Sequence, residues 1–149
     1  MKGVVFTVLC FLSLSGMAED VMNQSTMEAI VKALAVESKG EGGMVKFTYQ
    51  GVDMYLVSDV THDRMRIISP IDEYDKLSKA QIDRAMESNF HSALDARYAL
   101  SKGWLYAAYI HPLSKLDSVQ IESAVTQVFN LRATFGSDYS SGVLSYGGH

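Results

Sequence analysis

The chain has 149 residues, 48% of them hydrophobic, with a formal net charge of −4 and a single cysteine. That length and apolar content suit one domain with a core of its own. The acidic balance argues against non-specific binding to nucleic acid or anionic membranes, which needs a basic footprint. One cysteine permits neither an internal disulfide nor a cysteine metal cluster.

The chain opens with a positive residue, Lys2, followed by Val4 to Leu14, apolar except for Thr7 and Ser13. Gly16-Met17-Ala18 then places small residues where a signal peptidase reads them. This order is that of a secretory signal peptide, so residues 1–18 are expected to be removed, with cleavage between Ala18 and Glu19. The apolar run is too short for a bilayer span of about 20 residues. No later stretch reaches that length, so no membrane insertion is expected after cleavage. Cys10 lies in the leader, which leaves the mature chain without a thiol. The expected location is periplasmic or secreted.

Residues 19–140 read as a single domain. Ser25 and Glu28 have capping-box spacing ahead of Met27, Ile30, Val31, Leu34 and Ala35, a helical stripe ended by Gly40 to Gly43. Val45-Phe47-Tyr49, Val52-Met54-Leu56 and Arg64 to Ser69 alternate with period two, and Gln50-Gly51 supplies a tight turn. Pro70 is expected to end the third strand. Ser78 and Gln81 cap a second helix carrying Ile82, Ala85, Met86 and Phe90. Two further strands follow, Asp95 to Leu100 and Trp104 to Ile110, joined at Lys102-Gly103. Asp117 and Gln120 cap a last helix with the stripe Ile121, Ala124, Val125, Val128 and Phe129. A flexible Gly/Ser-rich tail is expected over 141–149. The predicted class is α+β, an antiparallel sheet of about five strands in the order α-β-β-β-α-β-β-α.

Chemistry-bearing patterns are sparse. Asp59, His62 and Asp63 share a turn, where a carboxylate beside an imidazole suits a base or a weak metal site. The same residues are ordinary in solvated turns, and no catalytic residue, metal site or cofactor is assigned. The aromatic residues are the stronger signal. Trp104, Tyr106 and Tyr109 lie on one predicted strand and Tyr98, beside Arg97, on its partner. By alternation Trp104 and Tyr106 share a face, and Tyr109 looks the other way. A sheet with apolar residues on both faces and only three helices leaves surface for a partner or a second copy.

The order of elements resembles that of the type III secretion specificity chaperones and the related YbjN-type domains, over about residues 25 to 140. Leu94-Asp95-Ala96-Arg97-Tyr98, His111-Pro112-Leu113, and Ala133-Thr134-Phe135-Gly136 with Tyr139 are similar to segments of that superfamily's members of unassigned function. The resemblance implies a non-enzymatic, acidic homodimer that holds extended segments of another protein against apolar grooves and strand edges. Those chaperones act in the cytosol without a signal peptide, so only the fold and the peptide-binding tendency are expected here. Arg97, Tyr98, Trp104, Tyr106 and Tyr109 are the candidate partner-binding residues. A structural homodimerisation domain without another ligand is the alternative, and an enzyme using the Asp59-His62-Asp63 turn stands behind both.

Overall fold

A computed structural model describes residues 21–143. The expected leader and residues 144–149 of the expected tail lie outside the described residues. The elements are α1 (Gln24–Leu34), β1 (Glu37–Gly40), β2 (Met44–Tyr49), β3 (Val52–Asp59), β4 (Arg64–Glu73), α2 (Lys79–His91), β5 (Arg97–Ser101), β6 (Trp104–His111) and α3 (Ser118–Ala133). Short 3₁₀ turns at Tyr74–Lys76 and Leu113–Lys115 precede α2 and α3. The strands form one antiparallel sheet in the order β1-β2-β3-β4-β6-β5. The protein is therefore α+β as expected, with six strands rather than about five.

Local chemistry explains most boundaries. Ser78 and Gln81 form a reciprocal capping box at the start of α2, and Asp117 and Gln120 form another at the start of α3. Gln50-Gly51 and Lys102-Gly103 each adopt two successive positive φ angles, 48° and 79° in the first pair, 49° and 76° in the second. That is the turn whose twist matches flanking antiparallel strands, and glycine at its second position adopts the angle without a Cβ clash.

Four elements differ from the sequence reading: β1 is an added strand, in the segment expected to end the first helix, and α1, β4 and α2 depart in detail. The cap of α1 is Asn23, whose side chain accepts the Thr26 amide at 3.0 Å. Glu28 is instead turned inward, 6% exposed, and accepts the amides of Gly43 at 2.8 Å and Gly42 at 3.2 Å. It thereby ties α1 to the turn between β1 and β2. Pro70 does not end β4. The strand passes it, with Pro70 opposite Tyr106 and a register shift before Asp72, because a bulge accommodates a residue that cannot donate to the ladder. In α2 the buried side chains are Ala85 and Ser88, whereas Met86 and Phe90 point outward.

The core lies on one side of the sheet. Val45, Phe47, Met54, Leu56, Met65, Ile67 and Ala107 meet Met27 and Val31 of α1 and Ile121, Val125, Val128 and Leu131 of α3. Gln127 of α3 is also buried, and its carbonyl oxygen accepts the amides of Asp95 at 2.8 Å and Ala96 at 3.1 Å. This fixes the segment entering β5. Asn89 of α2 bonds both backbone groups of Tyr98 (2.7 and 3.1 Å) and covers part of the outer edge of β5.

Candidate functional site: the open face of the sheet

Alternation along β6 divides its aromatic residues. Leu105, Ala107 and Tyr109 point to the helices, and Trp104, Tyr106 and Ile110 to the other side. Registers carry the same division across the sheet: Tyr106 pairs with Pro70, Ile68 with Tyr55, and Val57 with Met44. These side chains form an apolar strip across β2, β3, β4 and β6 on the face opposite the core. Its centre is a shallow depression of about 360 Å³ lined by Met44, Tyr55, Val57, Ile68, Pro70, Trp104 and Tyr106. Trp104 is 38% exposed at one end of the strip, and Met44 and Ile110 are exposed around it. Large apolar side chains gathered on one sheet face mark an interaction surface rather than isolated exposure.

The five candidate residues separate by this geometry. Trp104 and Tyr106 lie on the open face, and exposed Arg97 lies on the same side of β5, opposite Ala108. Tyr98 and Tyr109 do not. Tyr98 is 3% exposed, its hydroxyl donates to the Leu131 carbonyl at 2.7 Å, and burial pushes its pKa well above the ordinary tyrosine range. Its ring packs edge-on against Phe135 and Tyr139, at 5.7 and 6.0 Å between centroids. Tyr109 is 5% exposed beside His111, and burial likewise raises its hydroxyl pKa. These two tyrosines are core residues of the free chain, because the helices cover their face. Sequence reasoning did not single out Met44, Tyr55, Val57, Ile68 and Pro70 as site residues. Alternation places them on one face, and only the register aligns them into one strip.

The Asp59-His62-Asp63 turn does not bring its three side chains together. His62 Nδ1 lies 2.7 Å from Asp59, whose carboxylate also accepts the Thr61 amide at 2.9 Å. The hydrogen bond with His62 is the main reason that the Asp59 carboxyl is held below its ordinary value. Asp63 faces away, with one oxygen accepting the Ser114 amide and the other its hydroxyl, both at 2.7 Å. Asp63 thus joins the β3–β4 turn to the chain after β6. Among the described residues no group of three or more His, Cys, Asp or Glu side chains is arranged to hold a metal.

No protein-family model and no curated protein matches the sequence. Solved structures do match the fold. A chain in the HopA1–SchA chaperone–effector complex aligns with a TM-score of 0.57 at 12% identity, covering 75% of this chain and 91% of its own. One in the ExsC–ExsE complex aligns with a TM-score of 0.57 at 13% identity, covering 75% and 95%. One in the complex of the Yersinia pestis type III secretion chaperone SycH with a stable fragment of YscM2 gives 0.56 at 18% identity, covering 75% and 98%. The protein has the α+β fold of the type III secretion chaperones.

Proposed function

We propose that this protein is an exported, non-enzymatic binding module of chaperone type, which holds an extended or amphipathic segment of a partner protein on the open face of its sheet. The observation that carries the reading is the apolar strip around Trp104 and Tyr106, on the face that no described helix covers. The structures of similar fold include a chaperone–effector complex and a secretion chaperone bound to a fragment of another protein. Export, and a place beside the YbjN-type domains, rest on the sequence: Lys2, the apolar run and Gly16-Met17-Ala18 for the first, the motifs from Leu94 to Tyr139 for the second. The test is capture from a periplasmic extract on immobilised wild-type chain and on a Tyr106→Ala variant. A stoichiometric partner retained by the wild type and lost by the variant supports the reading. Equal retention by both removes the open face from the function.

A separate surface favours a second, compatible reading. Phe90 is 84% exposed on α2, Met86 is exposed one turn before it, and Leu100 is exposed on β5, against which α2 packs. This patch is suited to pairing two copies of the chain. It leaves the open face available for a partner. Sedimentation of the wild type against Phe90→Ser distinguishes a dimer formed there from a monomer.

A further inference from the structure

The open face is electrically uneven. Arg66 of β4 is the cross-strand neighbour of Ile110, and Arg97 of β5 is the neighbour of Ala108. The two arginines therefore bracket β6 at the end of the face away from Trp104, two strand spacings apart and offset by two residues, about 12 Å between their backbones. Both are exposed, and among the described residues neither has a carboxylate within 4.0 Å. Arg97 turns one nitrogen to the Leu94 and Ala96 carbonyls, which fixes its stem and leaves the rest of its fork free. The nearby acids are engaged elsewhere. Asp59, beside Arg64 on the next rung from Arg66, pairs with His62 at 2.7 Å, and Asp95, two residues before Arg97, accepts a hydrogen bond from the Gln127 side-chain amide at 3.2 Å. In a chain with 17 acidic and 13 basic residues, unpaired cations at the end of an apolar strip run against the overall composition. A guanidinium at the rim of an apolar contact gains most from a carboxylate, which it can bind through two parallel hydrogen bonds.

We propose that the segment held on the open face is acidic as well as apolar. Its apolar or aromatic side chain occupies the depression beside Tyr106 and Ile68, and its Asp or Glu pairs with Arg66 and Arg97. From Tyr106 to Ile110 the strand advances about 13 Å. Arg97 stands level with Ala108, two residues from Tyr106, so an extended peptide carries its carboxylate about two to four residues from its apolar anchor. The overall negative charge of the chain opposes such a ligand at long range. At physiological salt that repulsion is screened beyond about 8 Å, and the local arginines dominate at contact. The inference rests on the reading that the open face is the binding surface, and its test separates the two.

A displayed library of random peptides of about twelve residues is selected on the purified chain. Enriched peptides are synthesised with Asp and Glu, and again with Asn and Gln in their place, and binding is followed by fluorescence anisotropy. The expected enrichment combines aromatic or branched residues with Asp or Glu about two to four positions away. The amide peptide is expected to bind about tenfold more weakly, and an Arg66→Gln/Arg97→Gln variant to lose the preference for the acidic form. Both arginines are exposed, so circular dichroism of the variant should match the wild type. Neutral or basic peptides whose binding is lost with Tyr106→Ala would overturn the acidic ligand and leave the binding surface standing. No enrichment, or peptides indifferent to Tyr106→Ala, would overturn both. Self-association abolished by Tyr106→Ala would also overturn the proposal, with a second copy as the occupant.

Discussion

Tyr106 and Tyr109 stand three residues apart on β6 and face opposite sides of the sheet, Tyr106 across the ladder from Pro70 on the open face and Tyr109 in the core. Truncation should therefore separate their roles. Tyr109→Ala is expected to cost about 3–5 kcal/mol in urea denaturation, since it opens a cavity beneath the helices. Tyr106→Ala is expected to change stability by about 1 kcal/mol or less and to weaken partner binding instead. A Tyr106→Ala chain as unstable as Tyr109→Ala would mean that the open face belongs to the core.

Glu28 holds the turn between β1 and β2 from inside α1. Glu28→Ala removes acceptors from the Gly42 and Gly43 amides and is expected to destabilise the fold by about 2–3 kcal/mol. Amide exchange should accelerate at Gly42 and Gly43 before it does at Val45 or Phe47. Equal acceleration along β2 would show that Glu28 supports the whole sheet rather than its turn.

Acid should loosen the chain at Asp63. The Ser114 amide, then the Ser114 hydroxyl, hold its carboxyl below the ordinary value. A carboxylate with a lowered folded pKa contributes stability above its unfolded pKa, about 3.9, and that contribution disappears as pH falls through the lowered value. The Ser114 amide resonance is expected to titrate below about pH 4 in the wild type and to lose that transition in Asp63→Asn. A transition that persists in the variant would assign it to another carboxylate.

The α2 patch yields an independent outcome. Phe90→Ser is expected to convert a dimer to a monomer in sedimentation while retaining the partner captured through the open face. Loss of partner and dimer together would mean that the binding surface is completed by the second copy.

Much of this arrangement was legible in the sequence because period-two alternation survives folding. It placed Trp104 and Tyr106 on one face and Tyr109 on the other, and the capping boxes of α2 and α3 and the turns at Gln50-Gly51 and Lys102-Gly103 marked boundaries correctly, whereas Ser25 does not cap α1 and Gly40 to Gly43 lie beyond its end in β1 and the turn after it. Which face the helices cover is a tertiary fact, so Tyr98 and Tyr109 read as surface candidates although both are buried. β1 was not legible, since Glu-Ser-Lys-Gly carries no apolar alternation and all four residues remain exposed. Its strand character comes from pairing with β2. The apolar positions of α2 suggested a buried stripe, but the helix packs through the small Ala85 and Ser88 and leaves Met86 and Phe90 outside. Arg66 read as the polar half of an alternating strand, and its position beside the apolar strip appears only when β4 and β6 are in register.

Trp104 is the single tryptophan of the chain and lies at the rim of the apolar strip, so its emission reports directly on that surface. The most direct measurement is a titration of the chain with the captured partner segment, following Trp104 emission and its quenching by acrylamide. The account predicts a shift to shorter wavelength and protection from acrylamide that saturate together with binding. Tight binding that leaves both unchanged would place the partner elsewhere and contradict the assignment of the open face.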